Sequence, residues 1–544
     1  MEQFRSSRVH FLEDGASVAT GNPGRYPFLL NFLFETVLSW SPQATPHTLS
    51  RECSSEVWQQ RIQDSRIRRS PSLQGAVVQK YIQDCQGELR TGPVGSWSNL
   101  LKMMTMKYSP QKHPFLSHVL FDLPGNIKLK GLLALKGDMK RRPLVILRLG
   151  IFSNVEDFKP ERAWLMMLFE QMPFNVLVLE NMSSSDFITN NSQFSFGGYD
   201  EGIQNILISR LLTHPDEPLS RIVDTVHLFG VSLGGHGVLF ASLLNKYNSA
   251  INERSFIRSY TALCPVIDLQ KTMQNLTRGG VGSAVVDLWS RQRLAGLEEK
   301  VPSVSTYERF SFLSHAIEEI ARTYRGGLSY NSTVHLPPFM EDGSDFWRLN
   351  DFWSFYKNVE QPVFIYSTPK DPAVPYALNS QRLQNKEIKI ESKNIRVIEV
   401  PEGVHCTLPV PYDWNAMASI FEATILSHSA GFKTIERSLQ VDLFDEEWVG
   451  FIDAGSRVRF TARKPAPEAG YAPVEIEVTN SQGKSRTMNL SLPLSQFDFR
   501  FLNSELTESE QEMIVRWVNY NLKVHLVPGA SGKYSLKALW HVAP

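Results

Sequence analysis

The sequence predicts an α/β fold: a doubly wound, mostly parallel sheet with a cap insertion, an N-terminal helical extension and a C-terminal β-rich domain. Three observations carry this reading. Between about residues 113 and 428 short apolar runs alternate with helical stretches, the rhythm of strands covered on both faces. Before that region the apolar pattern is helical, without strand alternation. After about residue 430 it changes to strand-like segments divided by turns.

In chain order, residues 1–112 read as a helical extension, with helices expected over Glu52–Ile67, Leu73–Cys85 and Trp97–Tyr108. The apolar stretch Phe28–Trp40 contains Asn31 and Glu35 and has about 13 residues, too few to span a bilayer. It fits a helix buried on the body, with an interfacial membrane helix as the alternative. No apolar leader of the secretory kind precedes it, which favours the cytoplasm over export. From about Leu116 the period shortens: His118–Phe121, a turn at Pro124-Gly125-Asn126 and the near-alternating Ile127–Leu135 form a hairpin signature.

Strands and helices then alternate. Strands are expected at Leu144–Leu149, Asn175–Leu179, Thr225–Phe229 and Thr261–Cys264, with helices at Glu161–Gln171 and Tyr199–Leu212. The rhythm stops over about 270–358, which reads as a cap insertion rich in aromatics. It resumes with strands Val363–Tyr366 and Ile395–Val400, a helix near Tyr376–Leu383 and one over Trp414–His428. Residues 429–544 form the β-rich domain, with strands expected around Leu439–Phe444, Arg457–Thr461, Val474–Val478, Thr487–Leu492, Phe497–Phe501, Leu522–Leu526 and Tyr534–Leu539 and a helix opened by Thr507-x-x-Glu510.

Composition excludes several classes. The 544 residues carry 56 Lys+Arg against 56 Asp+Glu, so there is no net field to drive binding to nucleic acid. Hydrophobic residues at 42% and charged residues at 21% are ordinary for a folded protein and far from disorder. Four dispersed cysteines, Cys53, Cys85, Cys264 and Cys406, show no metal-binding spacing and read as reduced, buried thiols.

The chemistry centres on Gly230-Val231-Ser232-Leu233-Gly234-Gly235. A β-rich run ends here and a helical one begins, so Ser232 falls on a tight strand-to-helix turn. Glycines at 230 and 234 remove Cβ atoms that would clash there, and the helix N-terminus offers N–H groups to a developing oxyanion. A serine is a weak nucleophile without a general base, and the base needs an orienting acid. Asp371 follows the strand Val363–Tyr366, and His405 follows the strand ending at Val400. Serine, acid and histidine thus sit at the carboxyl ends of successive strands, where sites of parallel sheets lie.

Rival residues are present. Asp268, after the preceding strand, competes with Asp371 as the acid. His236 on the new helix and His227 inside the strand read as structural, Glu402 as solvated, and Cys264 and Cys406 as small core residues outside any elbow. Gly483-Lys484-Ser485 lacks the upstream glycine of a phosphate loop.

Residues 113–428 resemble the α/β-hydrolase superfamily of serine hydrolases through Gly230–Gly235, Lys370-Asp371-Pro372-Ala373-Val374-Pro375 and Glu402-Gly403-Val404-His405. Ser232-Leu233-Gly234-Gly235-His236-Gly237 also looks like S-formylglutathione hydrolases, though the insertion makes cap-bearing esterases and lipases the better comparison. The resemblance implies Ser232, Asp371 and His405 as the triad, and an oxyanion hole from the N–H groups of Leu233 and Ile151. Here Leu149-Gly150 replaces the family's usual His-Gly. Phe152, Phe346 and Trp347 are candidate substrate-lining residues. The implied activity is cofactor-independent and metal-free cleavage of a small-molecule or lipid carboxylic ester. An acyltransferase using the same residues, or an inactive binding scaffold, are the alternatives. The segment Asn181–Gly198 is a candidate pocket rim.

Overall fold

The computed structural model describes residues 4–12, 49–64, 66–67, 70–92, 96–106, 108, 110, 113, 115–136, 141–193, 195–248, 257–277, 290, 317–318, 321–322, 334–340, 345–384, 394–429, 447–453, 456–462, 471–479, 485–493, 500–502, 522–528 and 534–539. Contacts divide the chain into two units. One comprises Met1–Tyr108, His118–Leu133 and Arg141–Ala430, the other Ser109–Ser117, Ala134–Lys140 and Gly431–Pro544.

The first unit is built on a nine-stranded sheet. Its strands are β1 (Val9–Phe11), β2 (Leu116–Leu123), β3 (Ile127–Ala134), β4 (Arg142–Arg148), β5 (Asn175–Leu179), β6 (Val223–Val231), β7 (Ile257–Leu263), β8 (Val363–Ser367) and β9 (Ile395–Glu399). The spatial order is β1-β2-β3-β5-β4-β6-β7-β8-β9. From β5 through β9 every pairing is parallel. The three-residue turn Pro124–Asn126 joins β2 to β3, and a connection that short permits only antiparallel neighbours. Strands β5 and β8 are buried along their whole length and β4 in all but its first residue, because helices cover both faces, which is why their centres read as apolar runs.

Two expectations change. The N-terminal region is not free of strands: Val9–Phe11 pairs antiparallel with Phe121–Val119. Three residues are too short to show a period. The helices Ser55–Gln63 and Pro71–Asp84 belong to the same unit as the sheet. Gln79 clamps the backbone of edge strand β9, its Nε2 donating to Glu399 O at 3.0 Å and its Oε1 accepting from Glu399 N at 2.7 Å. The expected helix at Phe28–Trp40, most of the insertion, the strand at Leu439–Phe444 and the helix at Thr507 lie outside the described residues.

On one face, the helices Gly198–Thr213 and Leu233–Asn248 pack closely. A Cβ on Gly202 would lie 2.8 Å from Phe240 Cβ, and one on Gly237 2.6 Å from Glu201 Cβ, so the contact depends on bare backbone. Elsewhere Trp164, Phe229, Tyr366 and Phe421 form an aromatic cluster with ring centroids 4.8–5.6 Å apart. It joins the helices Arg162–Glu170 and Trp414–Leu426 to β6 and β8. Trp164 Nε1 donates to Cys406 O at 3.3 Å, so this core also supports the turn after β9.

The second unit holds an antiparallel five-stranded sheet in sequential order, β10 (Glu447–Asp453), β11 (Ser456–Ala462), β12 (Tyr471–Thr479), β13 (Ser485–Pro493) and β14 (Arg500–Leu502). A separate ribbon pairs β15 (Leu522–Pro528) with β16 (Tyr534–Leu539). Among the described residues no helix is long and apolar enough to cross a membrane.

Candidate active site

Strand β6 ends at Val231 and a helix starts at Leu233, leaving Ser232 alone on the corner. Its φ of +56° lies in the left-handed region, which a residue with a Cβ adopts at a cost. The corner is held by Ser232 N donating to Leu263 O at 2.9 Å and His236 N donating to Ser232 O at 3.2 Å. A Cβ at Gly230 would strike Gly234 O, and one at Gly234 the carbonyl oxygens of Arg148 and Leu149. Both glycines of the motif are thus required by close approach.

Asp371 stands in the turn after β8 and is buried. Its Oδ1 accepts from Ala373 N and Val374 N, both at 2.9 Å, which fixes the carboxylate. Its Oδ2 is left for His405, whose Nδ1–H donates at 2.8 Å. His405 Nε2 lies 2.9 Å from Ser232 Oγ. The three residues singled out in the sequence therefore form one continuous hydrogen-bonded chain. Burial draws the imidazole pKa down, but the charge and hydrogen bond of Asp371, with the charge of Glu161, outweigh it and hold His405 above its ordinary value.

Several loops fix this chain. Thr368 Oγ1 donates to Gly403 O at 3.3 Å, joining the acid turn to the histidine turn. Glu402, expected to be solvated, is instead buried and accepts from Lys370 Nζ and Arg90 at 2.6 Å each. Its partners lie 32 and 312 residues away, beyond any local pattern. The cysteines also depart from expectation. Cys53 pairs with Cys85 and Cys264 with Cys406, each pair with Cα atoms 5.6 Å apart, and no described thiol is free. The second bridge ties the residue after His405 to the end of β7. Separations of 32 and 142 residues leave no spacing signal.

The loop after β4 turns back at Gly150–Ser153, with Ser153 N donating to Gly150 O at 3.2 Å. Phe152 is buried with φ +58°, and its N–H donates to Ser183 Oγ at 2.9 Å. The Cβ position of Gly150 lies 3.5 Å from Ser232 Cβ, so this turn abuts the serine. Ser183 Oγ in turn donates to Asn181 Oδ1 at 2.6 Å, and Asn181 Nδ2 donates to Leu149 O at 3.2 Å and Glu201 Oε1 at 2.6 Å. The stretch proposed as a pocket rim is thus partly a buried polar network with its own helix, Ser185–Asn191. Four of the six positive-φ non-glycine residues among those described, Phe152, Ser232, Cys264 and Cys406, gather around the site.

The rivals are occupied elsewhere. Asp268 caps the helix Leu269–Leu276 through Lys271 N and pairs with Arg382 at 2.8 Å. His236 is buried, with Nδ1 2.8 Å from Val266 O, and burial lowers its pKa to about 4. His227 lies among Thr225, Ser259 and Ser429, lowered by burial to about 3. Phe346 is buried in the short helix Phe346–Leu349, its ring 5.1 Å from that of Trp347. Sequence reasoning missed Glu161, whose Oε1 accepts from Ser153 Oγ at 2.8 Å and Gly150 N at 3.2 Å.

No family model matches the chain, and no curated protein does. Among solved structures it is similar to the esterase Pf2001 of Pyrococcus furiosus, with 14% identity over 61% of this chain and 95% of that one at a TM-score of 0.34. Est1E of Butyrivibrio proteoclasticus is 16% identical over 57% of this chain and 96% of that one, at 0.32. An acylaminoacyl peptidase of Pyrococcus horikoshii is 10% identical over 57% and 41%, at 0.33. At these identities and TM-scores the likeness assigns neither activity nor substrate. From its own strand order, with β4 and β5 exchanged, and its left-handed serine corner after β6, the core of this chain has the α/β-hydrolase fold.

Proposed function

We propose that the protein is a serine hydrolase that cleaves carboxylic esters through Ser232, His405 and Asp371. The observation that carries this is the unbroken chain Asp371 Oδ2, His405 Nδ1, His405 Nε2, Ser232 Oγ, at 2.8 and 2.9 Å, ending on a strained serine. Ser232 Oγ attacks the ester carbonyl while its proton passes to His405 Nε2. Asp371 keeps the imidazole in the tautomer that can accept and stabilises the imidazolium. The N–H of Leu233, at the start of the helix, and that of Ile151 hold the oxyanion. His405 then returns the proton to the departing alcohol, leaving an acyl-serine. Water, deprotonated by His405, attacks that acyl group and releases the acid. No metal or cofactor enters these steps.

The test is paired hydrolysis of an aryl ester and its matched anilide by wild type and Ser232→Ala. Ester turnover by wild type and its loss in the variant are expected. Equal or faster amide cleavage would make the protein a peptidase, and undiminished turnover by the variant would remove Ser232 from the chemistry.

A further inference from the structure

The loop after β4 lacks the histidine-glycine of the resemblance, yet it is held as firmly as the rest of the site. Its anchor is Glu161, the residue before the helix Arg162–Glu170. Three observations converge on this side chain. It is 5% exposed. Its Oε1 accepts from the Gly150 N–H and the Ser153 hydroxyl, donors at the two ends of the turn that contains Ile151. The carboxylate also abuts the nucleophile's neighbour, since a Cβ on Gly150 would fall 3.1 Å from Glu161 Oε1 and 3.5 Å from Ser232 Cβ.

Resting on the hydrolase reading, we infer that Glu161 is a positioning residue of the active site: its carboxylate clamps the oxyanion turn against the serine corner. An ionised acceptor makes shorter and stronger hydrogen bonds than a neutral one, so one oxygen can fix both ends of a four-residue turn. The start of the helix favours negative charge at that position. The same charge is one of those that raise the His405 pKa, after the charge and hydrogen bond of Asp371. The remaining charged groups of the histidine turn, Glu402 with Lys370 and Arg90, are paired with one another. Imidazolium forms during Ser232 attack, so the charge of Glu161 adds to that of Asp371 in the transition state.

Two substitutions separate clamp from charge. Glu161→Gln keeps a carbonyl oxygen for both donors and removes the charge. Glu161→Ala removes both. Measured with p-nitrophenyl acetate on the full chain, Glu161→Ala is expected to lower kcat by about 10- to 100-fold with little change in KM, short of the loss for a deleted oxyanion donor. Glu161→Gln is expected to recover most of that kcat at pH 8 and to move the acid limb of kcat/KM to lower pH. A merely structural role would not move that limb. Ser153→Ala, which removes one donor and leaves the carboxylate, should give a smaller kcat loss with the limb in place. An unshifted limb in Glu161→Gln, or a Glu161→Ala enzyme within twofold of wild type, overturns the inference. If Glu161→Ala fails to fold, the Gln and Ser153 variants decide. Failure of the hydrolase reading looks different, because wild type itself would then show no turnover dependent on Ser232.

Discussion

Asp371→Asn separates the two functions of one carboxylate. Oδ1 accepts from Ala373 N and Val374 N at 2.9 Å each, and Oδ2 from His405 Nδ1 at 2.8 Å. An asparagine there has one acceptor and one donor end. Two backbone donors fix its oxygen toward the turn, so its NH2 must face His405 Nδ1. A donor opposite Nδ1 forces the imidazole proton onto Nε2, which then cannot accept from Ser232 Oγ at 2.9 Å. The fold should be retained and kcat should fall by about 10⁴, equivalent to about 5 kcal/mol of transition-state stabilisation. Asp371→Ala also strands the buried N–H of Val374 and the half-buried N–H of Ala373 and should lower unfolding free energy by a further ~1–3 kcal/mol. The assay is kcat/KM for p-nitrophenyl acetate at pH 8, beside urea unfolding of both variants. An Asp371→Asn enzyme within tenfold of wild type would refute the reasoning.

Because His405 is held above its usual value and must be neutral to act, kcat/KM should fall as pH drops, with the acid limb above pH 6.5. Its effect on stability runs the other way: the stabilisation from its charged form is complete below the unfolded value and disappears as pH rises through the folded one. An acid limb below 6.5 contradicts this. Gly234→Ala, whose Cβ would press on the Arg148 and Leu149 carbonyls, should cost about 1–3 kcal/mol in chemical denaturation and reduce kcat by distorting the serine corner. Lys130 is buried between Asp186 at 3.1 Å and Glu156 at 2.6 Å, so Lys130→Met should destabilise by about 3–5 kcal/mol by removing the cation from the buried Asp186 carboxylate. A melting temperature equal to wild type would show that the pair is dispensable.

That Ser232, Asp371 and His405 meet in one hydrogen-bonded chain was legible because each sits in a local context, the end of an apolar strand followed by a turn. The parallel strands were legible for a similar reason: burial on both faces leaves Val176–Leu179 and Val363–Tyr366 without a charged or amide side chain. What escaped depends on distant partners. Glu161 acts on residues 8 and 11 positions upstream, and its only sequence mark is an acidic residue after Pro160 at the start of a helix. Glu402 looks exposed until Arg90 arrives from a segment 312 residues away. The cysteine pairs carry no spacing, and β1 owes its strand to the free edge of β2 rather than to its own three residues.

The central claim is that Ser232 is an activated nucleophile. Its most direct test is labelling of the folded protein with a fluorophosphonate, followed by peptide mapping. The account predicts a single covalent adduct on Ser232, absent in Ser232→Ala and formed at least a hundredfold more slowly in His405→Ala. An unlabelled wild-type protein, or equal labelling of the Ser232→Ala variant, would contradict it.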